Sequence, residues 1–365
     1  MGIKILHCAD IHIGFEMSKK QLGTLRSAEV LSSFLRLLDF AQSENIELLL
    51  ICGDLFDSHH ISGDILNQVA KKFAEFSGKI VISPGNHDYY AENSVWEPFC
   101  ALSNTIIFKN PHDCILLENL GVRLVGGAFS GAYKTEHVLK NLDLPNDNYI
   151  NIGVFHGELS DASPYGPITV PEIENSGLDY LALGHIHKRT DILKSGKTAY
   201  SYCGCLEGQG FDETGEKGFY VGEIGKGSAN LAFHPFELRR FITETVDISD
   251  CADFSEVSES ILQKLNQKYK NACRNWFFKI TLTGSVAFSV NTDLLRAQLE
   301  NYVFYAKIKD KTTDATIDIN HLAQDNSLKG IFVRKMLEKS NDEFTKDALL
   351  LGLRAFSEEV FYNED

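Results

Sequence analysis

The chain has 365 residues, 44% hydrophobic and 23% charged, an ordinary balance for a globular protein of about two to three domains. Its 50 Asp and Glu outweigh 35 Lys and Arg, and the net charge of −15 excludes a broad basic surface that coats nucleic acid, though not an enzyme that acts on it. The opening Met1-Gly2-Ile3-Lys4-Ile5-Leu6 runs into His7 and Asp10 without an apolar stretch of signal length, and no later run is long enough to span a bilayer, so a cytoplasmic location is expected.

Strand and helix alternate over roughly the first 235 residues, which predicts an α/β layered domain. Strands are expected at Ile3–Ala9, Glu47–Cys52, Lys79–Ser83, Val122–Gly126, Tyr149–Phe155 and Leu178–Leu183. A helix over Arg26–Ser43 puts Val30, Leu31, Phe34, Leu35 and Leu38 on one face, and one over Asp64–Phe76 does so with Leu66, Val69, Ala70 and Phe73. Beyond Leu183 the helical pattern stops. Short strands at Thr198–Tyr202, Gly218–Ile224 and Leu231–Pro235 predict a second, antiparallel sheet that closes a sandwich.

From Phe241 the rhythm becomes strand, helix, strand, helix, strand, over Phe241–Ile248, Phe254–Lys270, Trp276–Thr283, Thr292–Tyr302 and Val303–Lys309. The last 40 or so residues read as two helices, the second opened by a capping box at Ser340-Asn341-Asp342-Glu343. Leu328, Ile331, Phe332, Met336 and Leu337, then Leu349, Leu350, Leu353, Phe356 and Val360, form an apolar stripe that must cover its own domain or a partner. The 8 cysteines are scattered, and Cys203-Gly204-Cys205 lacks the spacing of a zinc knuckle or redox motif, so buried reduced thiols are expected. Lys188-Arg189, Arg239-Arg240 and Lys307/Lys309/Lys311 are local basic groups that serve a substrate or simply face solvent.

Five polar motifs each follow an apolar strand: Asp10-Ile11-His12, Gly53-Asp54-Leu55-Phe56-Asp57, Gly85-Asn86-His87-Asp88, His156-Gly157 and Gly184-His185-Ile186-His187. Any one alone is a turn carboxylate or a satisfied core histidine. All five at carboxyl ends of strands are where open α/β sheets place ligands. Imidazole, carboxylate and amide oxygen without thiolate suit Mn²⁺, Fe or Zn²⁺. Asp10 and His12, two apart on an extended chain, would point to one side and grip one ion. Asp54 is the natural bridge, since a carboxylate between two divalent ions sets them about 3.5–4 Å apart, clamps a phosphate and acidifies bound water. Asn86, His156, His185 and His187 complete the ligands. His87 points elsewhere and is a candidate general acid, with Asp57 placed to orient it, unless Asp57 is a plain turn carboxylate. Asp88 has no assigned role, and His7, His59, His60 and His112 are read as structural or solvated.

These motifs resemble those of calcineurin-like metallophosphoesterases. Leu6-His7-Cys8-Ala9-Asp10-Ile11-His12-Ile13-Gly14, Ile51-Cys52-Gly53-Asp54-Leu55-Phe56-Asp57 and Gly184-His185-Ile186-His187-Lys188 are similar to the SbcD family of DNA repair nucleases. The segment from Tyr202 to Gly218, with Gly208-Gln209-Gly210 and Glu213-Thr214-Gly215-Glu216-Lys217-Gly218, is closer to its YhaO-like branch. The resemblance implies an α/β fold: a two-sheet β-sandwich flanked by helices over 1–240, a small α+β capping domain that steers DNA over 241–312, and C-terminal helices over 313–365. It implies that Asp10, His12, Asp54 and His187 hold one Mn²⁺, that Asp54, Asn86, His156 and His185 hold the other, and that His87 is the catalytic histidine. It further implies cleavage of DNA phosphodiesters, dimerisation through helices of the phosphoesterase domain, and docking of the C-terminal helices on the coiled coil of an SMC-like, SbcC-type ATPase. Two departures stand out: some members carry His at the position of Asp57, and Ser58-His59-His60-Ile61-Ser62 lacks the proline common there. A phosphodiesterase or phosphatase of small nucleotides, and a non-catalytic adaptor of the ATPase, are the alternatives.

Overall fold

Alternation along the inner strands decides the architecture. In the computed structural model, which describes residues 2–17, 20–92, 94–315, 319–339 and 343–356, β1 (Ile3–Cys8) is followed by α1 (Lys20–Ser43), β2 (Leu48–Ile51), α2 (Gly63–Glu75), β3 (Lys79–Ile82) and β4 (Thr105–Ile107). Ile3, Ile5, Leu48, Leu50 and Val81 enter one apolar core while Leu6, Cys8, Leu49, Ile51, Ile80 and Ile82 enter another, because successive side chains leave opposite faces of a strand. Strands buried on both faces require a layer on each side.

On one side that layer is helical. Val30, Phe34, Leu37, Leu38 and Ala41 of α1 and Val69 and Phe73 of α2 pack on the Leu6/Leu49/Ile51 face. On the other side lies a second sheet, built from β5 (Asp113–Leu117), β6 (Val122–Gly126), β7 (Ile150–His156), β8 (Tyr180–Gly184), β9 (Leu193–Ser195) and β10 (Thr198–Tyr202). Its Leu124, Ile152, Val154 and Ala182 meet Ile5, Leu50 and Val81 of the first sheet. Its outer face is covered by Val138, Leu139 and Ile173, the last from α3 (Val170–Asn175) between β7 and β8. The layers are therefore helix, sheet, sheet, helix.

β11 (Gly218–Gly225) and β12 (Ser228–Pro235) return to the first sheet, whose order is β12-β11-β1-β2-β3-β4; the second runs β5-β6-β7-β8-β10-β9. The expected separate antiparallel sheet is thus corrected. β10 lies parallel to β8, with Tyr202 opposite Leu183, while β11 lies antiparallel on β1, with Val221 opposite Leu6. Loss of the helical pattern does not mean antiparallel pairing, because the β8–β10 crossover is made by a loop that carries the edge strand β9. Among the elements that went unforeseen, β4 and β5 are short edge strands.

The chain divides into two compact units, Met1–Phe241 and Ile242–Asp365. Entering the second, β13 (Phe241–Asp247) is followed by α4 (Phe254–Tyr269), β14 (Phe277–Thr283), β15 (Ser285–Val286), α5 (Thr292–Leu299), β16 (Tyr305–Asp310) and β17 (Thr313–Asp314). The sheet order is β13-β14-β16, and Val257, Ile261 and Leu265 of α4 pack with Ile280, Leu282, Leu295 and Leu299. The two helices expected at the end are α7 (Leu328–Leu337) and α8 (Glu343–Ala355), and a short α6 (Ile319–Gln324) precedes them. The apolar stripe is divided. Phe332, Val333, Met336, Leu349 and Leu353 pack together, and Phe356 meets Phe332, whereas Leu328, Ile331 and Leu337 are exposed. Ser340, Asn341 and Asp342 of the capping box, Val360 and the side chain of Leu350 lie outside the described residues. Among the described residues no helix is long and apolar enough to cross a membrane.

One buried polar group ties the first unit together. Glu207 accepts hydrogen bonds from Arg26 Nη2 at 3.0 Å, Ser33 Oγ at 2.6 Å and Leu238 N at 2.7 Å, joining α1 to two distant loops. Arg26 is buried as well. Removing one partner of such a pair strands the other charge away from water. Glu207→Ala is expected to cost about 3 kcal/mol of stability in urea unfolding; a loss below about 1 kcal/mol would mean that Arg26 finds full compensation elsewhere.

Candidate metal centre

Five parallel strand ends bring the motifs together: β1, β2 and β3 from one sheet, β7 and β8 from the other. The loops are knitted by main-chain bonds, from Asp10 N to Gly53 O at 3.1 Å, Ile11 N to Asp54 O at 2.9 Å and His12 N to Asp54 O at 3.0 Å. The expected extended geometry of Asp10 and His12 is corrected here, since φ is 51° at Asp10 and 53° at His12. Both residues turn left-handed, as do Asp54 at 51° and His185 at 98°. Such backbone costs of order 1–3 kcal/mol per residue and is held only where its surroundings over-determine it.

Glycine makes room for the ligands. A Cβ on Gly53, whose φ is +85°, would stand 2.3 Å from His156 Nδ1, and one on Gly85 would stand 2.1 Å from Asp54 Oδ1. Neither position tolerates a side chain without displacing a candidate ligand.

The side chains converge on two points. His12 Nε2 and His187 Nε2 are 3.1 Å apart, and His156 Nε2 is 2.9 Å from Asn86 Oδ1. Between these pairs lies Asp54 Oδ2, 3.9 Å from His12 Nε2 and 3.3 Å from His156 Nε2. Asp10 receives the His185 backbone N–H at 3.0 Å, and the His185 ring lies 5.1 Å from the His156 ring. Asp10, His12, Asp54, Asn86, His156, His185 and His187 are therefore one constellation.

The opposite nitrogens of three imidazoles are already occupied. His12 Nδ1 bonds Asp57 Oδ1 at 2.9 Å, His187 Nδ1 bonds Glu213 Oε1 at 2.5 Å, and His156 Nδ1 bonds the Cys52 carbonyl at 2.9 Å. An imidazole that donates from Nδ1 presents a lone pair at Nε2. Lone pairs of His12 and His187 then face one another at hydrogen-bond distance, an arrangement that demands a proton or a cation between them. The donor set of imidazoles, carboxylates and an amide oxygen fits two divalent cations, with Asp54 shared.

Charge tells the same story. Burial raises Asp10, but His156, His12 and His87 hold Asp54 well below the carboxylate range against its own burial. Asp54 and Asp10 in turn lift His156 to about 9 although burial opposes it. Burial and the charge of His156 drop His185 to about 4, leaving it a neutral nitrogen donor.

Asp57 serves two imidazoles. Its carboxylate orients His12, while His87 Nδ1 bonds the Asp57 carbonyl at 2.8 Å and stands 3.8 Å from Oδ1. Asp57 thus anchors His87 through its main chain. The His87 side chain is 43% exposed, at the open edge of the site.

Sequence reasoning misses Glu213, since it belongs to no ligand motif; its only signal is an acid within the Gly-rich segment after β10. Its second oxygen accepts from Gln209 N at 2.8 Å. Burial raises its carboxyl, but His187 overrides this and holds it at about 2, and Glu213 reciprocally raises His187. Cys205 completes a His187–Cys205–Glu213 cluster, but burial keeps its thiol protonated, so the cluster reads as support for His187 rather than a further cation site. Asp88 is structural: buried, it accepts from Phe56 N at 3.1 Å and Gly85 N at 2.8 Å and so pins two ligand loops. Burial and the charge of Asp54 push its carboxyl to about 7.

Elsewhere the bland readings hold. His7 is buried between Tyr180 Oη at 2.8 Å and the Leu183 carbonyl at 3.1 Å, and His60 and His112 are exposed. His59 packs edge-on against Tyr89, with Nε2 buried. Cys8, Cys52, Cys203, Cys205 and Cys273 are buried thiols, whereas Cys100 and Cys114 are exposed, contrary to expectation. Arg239 and Arg240 pair with Glu29 and Glu237. Lys188, Lys307, Lys309 and Lys311 face solvent.

Two outcomes are expected. Glu213→Gln should weaken Mn²⁺ binding in calorimetry by about 10-fold or more, the usual effect of loosening a ligand's outer partner; undiminished affinity would make Glu213 a bystander. His7 is held at about 3 by burial. Its folded value lies below its unfolded one, so the stability it contributes is full above about pH 6.5 and is lost as pH falls toward 3. Its ring should remain neutral by NMR at about pH 5, and a charged His7 there would refute the burial argument.

Residues 3–189 match the calcineurin-like phosphoesterase family. The chain is 25% identical over 291 residues to YhaO, an uncharacterized metallophosphoesterase of Bacillus subtilis, covering 74% of this chain and 70% of that one. It is 22% identical over 377 residues to the DNA double-strand break repair protein Mre11 of Saccharolobus solfataricus, covering 96% and 94%. The SbcD component of the nuclease SbcCD from Staphylococcus epidermidis is 25% identical over 317 residues, covering 76% and 79%. With its family match spanning just over half its length, and its two sheets enclosed by helices, this chain belongs to the calcineurin-like phosphoesterases.

Proposed function

We propose that this metal-dependent phosphoester hydrolase is a Mn²⁺-dependent DNA nuclease that hydrolyses phosphodiester bonds. The observation that carries the reading is the convergence of six ligand-type side chains around the shared Asp54, with His87 beside them and fastened through Nδ1 to the Asp57 carbonyl. The likeness to Mre11 and to the SbcCD component supports DNA as the substrate.

Asp10, His12, Asp54 and His187 would hold one ion and Asp54, Asn86, His156 and His185 the other; when bound, such ions neutralise phosphate charge and acidify water near neutrality. The chain's own residues do the rest. Asp57 and Glu213 fix the tautomers of His12 and His187, which aims both Nε2 lone pairs inward. His87, fastened through Nδ1 to the Asp57 carbonyl, offers Nε2 to the departing oxygen. As the oxygen of hydroxide, formed by loss of a water proton to solvent, bonds to phosphorus and the phosphorus–oxygen bond to the leaving strand breaks, the proton from His87 Nε2 neutralises the alkoxide. Asp10, Asp54 and His156 lie almost wholly out of water, so their charges act in a medium of low dielectric.

The reading extends to a partner. Leu328, Ile331, Leu337, Phe344 and Leu351 are exposed on the last two helices, a surface suited to the coiled coil of an SMC-like ATPase. A second reading, hydrolysis of small nucleotide phosphodiesters, is favoured by the net charge of −15, which disfavours a long polyanion.

Cleavage of a labelled linear DNA duplex and of bis-p-nitrophenyl phosphate in Mn²⁺ separates these readings. The protein should cut both. His87→Ala should lower kcat on DNA by about 10² to 10⁴ while calorimetry still records two bound Mn²⁺. Retained DNA cleavage in that variant refutes the proton-donor role, and turnover of the small ester alone selects the second reading.

A further inference from the structure

The side of the site formed by His185 carries two tyrosines that the chemistry above does not use. The Tyr165 ring lies 4.8 Å from the His185 ring with the planes 33° apart, and the Tyr133 ring lies 5.7 Å from Tyr165 at 35°. Three rings thus form a ladder leading outward from the metal centre. It ends in water: Tyr165 is half-buried, and Tyr133 is 68% exposed.

The ladder is rigidly mounted. Lys134 N donates to Pro164 O at 2.8 Å, and Gly166 N donates to Lys134 O at 2.7 Å, which locks the two tyrosine-bearing segments to each other. Glu158 N donates to Gly166 O at 3.1 Å, so both segments are fastened to the chain leaving β7 just after His156. A tyrosine held this way gives up little conformational freedom when a second ring lies on it.

Acidity gives the ladder a purpose. A chain of net charge −15 gains little from phosphate contacts, and Arg239 and Arg240 are already paired with carboxylates. Affinity for a nucleic-acid strand then gains from contacts that ignore charge. Stacking of bases on aromatic side chains is such a contact, and it tolerates any sequence because every base has a π face.

We propose that Tyr165 and Tyr133 form a stacking platform for a nucleobase next to the phosphodiester that enters the metal centre. The proposal rests on the phosphodiesterase reading above and adds how the substrate is seated: the phosphate goes to the ions and the neighbouring base to the tyrosine ladder.

The test uses the full chain with Mn²⁺ in a His87→Ala background, so that the strand stays intact, and single-stranded oligonucleotides bearing 2-aminopurine. Binding should quench 2-aminopurine emission. Adding Tyr133→Ala should relieve the quenching and weaken binding about 10-fold, the scale of one base–aromatic stack, while Tyr133→Phe, which keeps the ring, should restore both. Replacing the stacked base by an abasic residue should weaken binding similarly, and the two losses should not add, because each removes the same contact. Undiminished affinity and quenching in Tyr133→Ala overturn the platform, as do losses that add in full. A 2-aminopurine mononucleotide phosphodiester identifies the source of the base: quenching by it as well as by the strand supports a platform that takes free nucleotides too, and quenching by the strand alone supports one for nucleic acid. If the unaltered protein cuts no DNA, the nuclease reading falls while the quenching result still judges the platform.

Discussion

Asp54 is the residue on which the rest depends. Its carboxylate is buried, accepts the His87 N–H at 3.0 Å, and lies among His12, His156 and Asn86. Its own carbonyl simultaneously receives the N–H groups of Ile11 and His12. A single residue thereby fixes the loop after β1 through its main chain and the loop after β3 through its side chain. That double duty requires φ near +51° at Asp54 and a hydrogen at Gly53 and Gly85 where any Cβ would strike a ligand. Of the described non-glycine residues with positive φ, Asp10, His12, Asp54 and His185 lie in the site, while Asn45, Asn141 and Lys270 lie elsewhere. Strain is concentrated where the charges are concentrated, and the apolar layers beneath supply the stability that tolerates it.

Much of this is legible in the sequence. Strands that alternate between two cores read as continuous apolar runs, and each ligand motif begins where such a run ends, so the positions of Asp10, Asp54, Asn86, His156 and His185 follow from hydrophobicity alone. Direct ligands are local in the chain. Their outer partners are not: Glu213 lies 26 residues beyond His187, and Asp57 lies 45 residues beyond His12. The position of Asp57 three residues after Asp54 points to His87 alone, whereas the Ile13–Phe56 bridge also brings Asp57 to His12 in space. The pairing of β8 with β10 is invisible for a similar reason, since a loop and a helix serve equally well as a parallel crossover. α3 is the avoidable omission. Thr169 and Glu172 form a reciprocal capping box around Pro171, a signal plainly present in the residues.

Negative charge shapes how the site must work. Buried carboxylates lift His156 and are themselves divided, Asp10 raised by burial and Asp54 lowered by the histidines around it. Several arginines are engaged in pairs, Arg26 with Glu207, Arg123 with Asp147, Arg239 with Glu29, which leaves their charge less free to guide a polyanion. Binding that relies on such a surface depends weakly on salt, because few counterions are released.

The site is also lopsided, and the asymmetry gives the direction of approach. Asp10 and His156 have no side-chain exposure, and both are held by backbone groups: the His185 N–H on one and the Cys52 carbonyl on the other. On the opposite side His187 is 26% exposed and His87 is 43% exposed. The buried half is fixed by the folding of the two sheets and cannot move without them. The open half is set by few contacts, Glu213 on His187 and the Asp57 carbonyl on His87, each from a loop outside the strands. A phosphoester therefore has access past His87 and His187 and along the partly exposed His185. The groups it meets first are those whose orientation depends on single side-chain or carbonyl partners, which places substrate discrimination in the loops and ion retention in the sheets.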